Sequence, residues 1–209
     1  DELLRIAVES ARGLQAIHRA GYVHADLKPN NTMVTPDGAV KLIDLGQSSR
    51  INEPKPRIQG TIHYMAPEQV QKGVLDQRTD VFGLGATLHR ILTGAPIKTE
   101  MNKTITIHSQ SMVGRRVDVA DGNGLAELPG SIVRLITDCC QYHAEDRIPD
   151  MGSLIQRLEL VRTSLAKSAN GTTYAGEDDD EDAWAEDEED VVVVDPDFAA
   201  DLLGDDDPA

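Results

Sequence analysis

Apolar side chains at Leu3, Ala7, Ala11, Leu14 and Ile17 recur every three to four residues, the spacing of an amphipathic helix, and Gly21 follows as a stop. A helix over 3–20 is therefore predicted. Two short β-type runs, 32–35 and 39–43, flank Pro36-Asp37-Gly38, whose turn chemistry favours a hairpin. A loop containing proline and arginine runs to Gln59. After it GTIHYMAPEQ leads into a long apolar segment over 79–92, closed by Gly94 and Pro96. Residues 98–128 carry Gly, Asn and Asp with weak periodicity and read as a loop-rich connector with room for one short helix. Two more helices are expected over 131–141 and 151–165, joined by the polar stretch HAEDRIPD. The fold class that follows is α+β, mostly helical with one short hairpin.

Composition changes this picture only at the C-terminal end. Of the 36 acidic residues 17 lie in 177–209, a stretch without Lys or Arg, which leaves 19 against all 20 basic residues in 1–176. The formal charge of -16 therefore belongs to the tail, and the rest of the chain is near neutral. No basic face is indicated, so nucleic-acid binding is not expected. An acidic segment with few apolar residues cannot offset its ordering entropy, so the division expected is a folded unit over 1–165 and a disordered tail over 166–209. Short apolar islands at 191–194 and 198–203 leave room in that tail for a partner-binding motif. No apolar run approaches the roughly 20 residues of a membrane span. Cys139 and Cys140 are adjacent within an apolar-periodic segment, which suits packed helical positions in a reducing, cytoplasmic setting.

The chemistry lies on either side of the hairpin. His24-Ala25-Asp26-Leu27-Lys28-Pro29-Asn30-Asn31 sets a carboxylate, an ammonium and an amide on one short loop. Phosphoryl transfer needs that combination: an acid to orient the attacking hydroxyl and accept its proton, a cation beside the moving phosphoryl group, and an amide oxygen for a metal. Eighteen residues after Asp26, Asp44-Leu45-Gly46 offers a second carboxylate suited to a metal that bridges phosphates. The hairpin should bring both loops to one end and turn Asp26 and Asp44 toward a common cleft.

These motifs resemble the protein kinase family. HADLKPNN is similar to its H-R-D-L-K-P-x-N catalytic loop, DLG to D-F-G, and Ala66-Pro67-Glu68 to A-P-E, within a GTIHYMAPE stretch similar to the peptide-docking end of the activation segment. The resemblance covers roughly 1–165 and implies the C-terminal lobe of a serine/threonine kinase of bacterial, eukaryotic-like type. It implies Asp26 as catalytic base, Lys28 as the phosphate contact of serine/threonine kinases, and Asn31 and Asp44 as ligands of Mg²⁺ carrying ATP. It further implies Thr61 as the hydroxyl that bonds Asp26 and Lys28, and Met33, whose apolar type by itself reads as a core residue, as the floor beneath adenine. His24 is expected to pack under the loop, Asp80 to brace it, and Arg147 to pair with Glu68. Protein substrates phosphorylated on Ser or Thr are the implied partners. A kinase-like scaffold without activity is the alternative. A small-molecule phosphotransferase is less favoured, because Ala66-Pro67-Glu68 with Arg147 belongs to peptide-substrate kinases.

Three departures qualify the resemblance. Ala25 stands where many kinases carry an Arg that receives a phosphorylated loop residue, and no Ser, Thr or Tyr occurs between Ser49 and Thr61. Activity is therefore expected to need no loop phosphorylation. Leu45 replaces the usual Phe, an apolar exchange. No G-x-G-x-x-G or strand lysine can be assigned ahead of the first helix, so the ATP-covering N-terminal lobe is expected to be absent here. A start at Asp1 rather than Met favours a fragment over a lobe that works without ATP.

Overall fold

The computed structural model describes residues 1–99, 117–118 and 128–169. Helix α1, Glu2–Arg19, buries Ala7, Ala11 and Leu14 of the predicted stripe together with Leu4 and Val8, while Leu3 and Ile17 are only partly buried. Strand β1, Tyr22–Val23, follows its C-cap, and β2, Thr32–Val34, pairs antiparallel with β3, Val40–Leu42, in the register Thr32 to Leu42. The turn between them closes through the Gly38 N–H to the Thr35 carbonyl, with Gly38 at a φ of +88° that a side chain would resist. β4, Ser49–Arg50, then pairs with β1. The β1–β4 pair escaped the sequence reading because two-residue strands leave no periodicity.

Helix α2, Pro67–Val70, is a single turn with proline at its start. Helix α3, Gln77–Thr93, begins two residues earlier than expected because the Asp76 carboxylate accepts the Arg78 N–H at 2.7 Å, and Gly94 at φ +70° ends it. Every residue from Thr79 to His89 is buried, which makes α3 the central helix and explains a sequence apolar on all sides. α4, Gly130–Cys139, lies against it at Gly85, where an added Cβ would stand 2.5 Å from Cys139 Cβ and 2.7 Å from Cys140 Sγ. α5, Met151–Ala169, packs on α1 through Met151, Leu154 and Leu158. It runs past the expected end at 165, with Ser168 Oγ bonded to the Ser164 carbonyl.

Within the expected connector 98–128, β5, Lys98–Thr99, pairs antiparallel with β6, Val117–Asp118. The remaining connector residues other than Leu128, and the acidic tail from 170, lie outside the described residues. Among the described residues the fold is mostly helical with three two-stranded sheets, and no helix is long and apolar enough to cross a membrane. One expectation is not met. Met33 is 49% exposed, and so is its neighbour Val34 at 46%, so Met33 is not a core residue. Successive strand residues point to opposite faces, so a two-stranded ribbon leaves both faces of β2 open at this end. Both cysteines are free and fully buried, as their helical periodicity implied.

Candidate functional site

The loop that follows β1 is suspended from α3. Asp80 is completely buried, and its carboxylate accepts the His24 N–H on Oδ2 and the Ala25 N–H on Oδ1, both at 2.8 Å. His18 Nε2, from the end of α1, lies 2.7 Å from Oδ2. Burial alone would push the Asp80 carboxyl up. The His18 hydrogen bond, the charges of His18 and His24 and the Ala25 N–H together hold it below the usual carboxylate range. Ala25 adopts φ +61°, a left-handed conformation that costs a non-glycine residue about 1–3 kcal/mol. Its N–H is fixed by Asp80 and its carbonyl by Gln69 Nε2 at 2.7 Å, so the surroundings impose that conformation from both sides. His24 accepts the Asp26 N–H on Nδ1 at 3.3 Å, which assigns its proton to Nε2, 3.2 Å from the Ile43 carbonyl.

Four of the residues named from sequence meet in one hydrogen-bonded group. Lys28 Nζ donates to Asp26 Oδ2 at 2.8 Å and to Thr61 Oγ1 at 3.0 Å, while the Thr61 hydroxyl donates to Asp26 Oδ1 at 2.9 Å. The triangle closes on both carboxylate oxygens. Asn31 Nδ2 reaches the Asp26 carbonyl at 2.8 Å and Oδ2 at 3.3 Å, and Asn31 Oδ1 makes no hydrogen bond among the described residues. Asp26 and Asn31 are buried, whereas Lys28 remains partly open. A carboxylate held by three donors has a fixed orientation.

Asp44 stands beside this group rather than in it. The Ile43 N–H donates to the Asn31 carbonyl at 3.0 Å, so the end of β3 is tied to the loop that carries Asn31. Asp44 itself takes a left-handed conformation, φ +62°, is exposed, and makes no hydrogen bond or ion pair among the described residues. Met33 lies on the open ribbon, outside the bonded group. Among the described residues no cluster of three or more His, Cys, Asp or Glu side chains could hold a metal unaided. The donor set that does exist, one amide oxygen and one free carboxylate, suits Mg²⁺, which keeps most of its ligands as water and substrate phosphate.

A second polar assembly lies apart from the loop and fixes the segment around α2. Arg147 forms a two-point fork with Glu68, Nη1 to Oε1 and Nη2 to Oε2, each at 2.8 Å. The guanidinium also donates to the carbonyls of Gln141, Arg78 and Tyr142 and lies 5.0 Å above the Phe82 ring. The Thr79 hydroxyl completes the acceptor side at Glu68 Oε1, 2.9 Å away.

The sequence profile of the protein kinase domain matches residues 1–157. The chain belongs to the protein kinase family. Serine/threonine-protein kinase PknL of Mycobacterium tuberculosis is 34% identical over 161 residues, which is 74% of this chain and 39% of that protein. A Clostridium perfringens protein named "Probable serine/threonine-protein kinase" is 29% identical over 197 residues, 91% of this chain and 27% of its own length. U-box domain-containing protein 33 of Arabidopsis thaliana is 30% identical over 176 residues, 80% of this chain and 21% of that protein. The chain thus spans well under half the length of these relatives.

Three residues of this kinase-family chain do not figure in the sequence reading of the site. His18 supports Asp80; the available signal was a polar side chain closing the apolar stripe of α1, which needs a partner once buried. Gln69 ties the Ala25 carbonyl to the Ala66 N–H, and its position three residues into α2 is that of a capping glutamine. Lys55 is 5% exposed in an otherwise open loop, and a lone lysine between two prolines gave no sign of that.

Proposed function

We propose that this chain is the C-terminal lobe of a protein kinase that transfers phosphate from ATP, with Mg²⁺, to Ser or Thr of protein substrates. The observation that carries the proposal is the closed triangle of Asp26, Lys28 and Thr61 with Asn31 attached. In it Asp26 orients the substrate hydroxyl and accepts its proton, while the Lys28 ammonium neutralises charge on the moving phosphoryl group. Thr61 locks the pair, so that positioning precedes substrate binding. Asn31 Oδ1 and the Asp44 carboxylate would hold the metal that carries the nucleotide phosphates, and Met33 would contact the adenine from its open ribbon.

Residues 1–169 form the lobe in this reading, since α5 takes in 166–169 of the expected tail, and the acidic composition of 177–209 suits a segment that engages a partner. The free thiols support a reducing, cytoplasmic setting for this domain. Ala25 and the absence of a hydroxyl from Arg50 to Gly60 support activity without loop phosphorylation. The test is transfer of labelled phosphate from ATP to a generic protein substrate, assayed for the 209 residues alone and for the longest native product containing them. Transfer by the longer product should fall about 10²–10⁴-fold in Asp26→Asn, the usual worth of a positioned base. Phosphatase pretreatment should leave its rate unchanged. A longer product that folds, binds partners and transfers nothing would make the scaffold reading correct instead.

A further inference from the structure

The stretch 52–58 is open to solvent at every position except one. Asn52, Glu53, Pro54, Pro56, Arg57 and Ile58 are exposed, Ile58 to 47%, while Lys55 is only 5% exposed. A loop that leaves an isoleucine in water and buries a lysine is not folded by apolar burial. Removing an ammonium from water is costly, so a polar contact must offset it. That contact is present: Lys55 Nζ donates to the Gln47 carbonyl, three residues after Asp44. The same short stretch carries buried side-chain oxygens that make no hydrogen bond among the described residues, Gln47 Oε1, Ser48 Oγ and Ser49 Oγ, so the Gln47 carbonyl is where Lys55 holds it.

Burial lowers the Lys55 ammonium from its ordinary value, and the negative fields of Asp26 and Asp80 oppose that lowering. The backbone around Lys55 is prepared for its burial. Pro54 and Pro56 restrict the chain on both sides, so little entropy is lost when Lys55 is held. Upstream, the Ile51 N–H bonds the Gly21 carbonyl at 2.9 Å and the Asn52 N–H bonds the Leu75 carbonyl at 2.8 Å, which leads the chain to the point where Lys55 turns inward.

We infer that Lys55 is a positioning residue: its buried ammonium, bonded to the Gln47 carbonyl, ties 52–58 to the stretch after Asp44. The inference rests on the proposed kinase reading and deepens it. Position 25 offers no cation to receive a phosphate and the loop offers no hydroxyl to carry one, so a lysine on the loop itself provides the charged tie that keeps the segment ordered.

The test is hydrogen exchange of peptides covering 47–60 in the full 209-residue chain, without nucleotide, for the wild type and for Lys55→Met, Lys55→Gln and Lys55→Arg. Methionine keeps the volume, glutamine keeps a neutral donor, and arginine keeps the charge. Exchange in this stretch should rise about 10–100-fold in the Met and Gln variants, the worth of a hydrogen bond from a charged group. It should return toward the wild-type rate in Lys55→Arg, with α3 amides unchanged throughout. Wild-type protection in the Met or Gln variant, or an Arg variant as fast as Met, would overturn the inference. Should the Met variant fail to fold, the Gln and Arg variants carry the comparison. The measurement involves no phosphate transfer, so an inert kinase and a wrong role for Lys55 give separate results.

Discussion

Removing the Arg147 side chain should be the most damaging single change outside the apolar core. Its five N–H donors are all used: Nε to Gln141, Nη1 to Glu68 and Arg78, Nη2 to Glu68 and Tyr142. The side chain is 0% exposed, against 16% for Glu68, so solvent cannot fill the gap on the arginine side. Arg147→Ala would remove both donors of the fork from the Glu68 carboxylate, leaving it the Thr79 hydroxyl, would take the guanidinium away from the carbonyls of Gln141, Arg78 and Tyr142, and would open an empty space over Phe82. Breaking a buried pair on one side costs about 3–5 kcal/mol. For a domain of this size that corresponds to a fall of roughly 6–20 °C in melting temperature. Thermal unfolding of the wild type, Arg147→Ala, Glu68→Gln and the double variant measures it. Coupling should appear as a double variant less damaged than the sum of the singles. An exposed surface pair is worth only about 0–1 kcal/mol, so an Arg147→Ala shift of a degree or two would refute the argument that burial makes this fork strong.

Asp80 links stability to acid pH: its carboxyl is held below the ordinary 3.8, so its contribution is full above that value and is lost as pH falls through the lower folded value. Asp80→Asn should therefore flatten the acid limb of a stability-against-pH curve and cost at least about 1–3 kcal/mol at neutral pH; an unchanged acid limb would contradict this. Burial pushes the Cys140 thiol up to about 12 and raises Cys139 as well, so a chromogenic disulfide reagent should find both thiols only after unfolding. Fast labelling of the native chain would show that this region opens. Gly85→Ala would drive a Cβ to 2.5 Å from Cys139 Cβ and should destabilise by about 1–3 kcal/mol, read by denaturant unfolding; a neutral result would mean that α4 can move away from α3.

The four long helices, α1, α3, α4 and α5, were legible because each buries a stripe or a whole surface whose period survives in the sequence, and their ends agree to within a few residues except at α5; the single turn of α2 is too short to carry a period. Its extension to Ala169 rests on unremarkable residues that carry no stop signal. The polar group around Asp26 was legible as a set of ordered motifs, and the structure brings Lys28, Asn31 and Thr61 onto that carboxylate. What stayed hidden depends on distance in space. Nothing in residues 52–58 distinguishes Lys55 from Arg57, although one is buried and the other exposed. Met33 failed for a related reason: its apolar type suggested a core place, but what covers a strand face is decided by other parts of a protein.

Asp80 also shows why this site is built into the core rather than laid upon it. The carboxylate belongs to the central helix, whose position is set by apolar packing on several sides, and it has no exposed surface through which to relax. Through its hydrogen bonds it fixes the end of α1 at His18 and the backbone at His24 and Ala25. The left-handed turn at Ala25 is thereby set from below, while Gln69 sets it from the α2 side. Asp26 follows directly on this turn, so its direction depends on packing several residues away as well as on Lys28 and Thr61. A core substitution that shifts α3 should therefore disturb the Asp26 group before it unfolds the chain, whereas the exposed loop around Arg57 can vary freely so long as Lys55 stays buried.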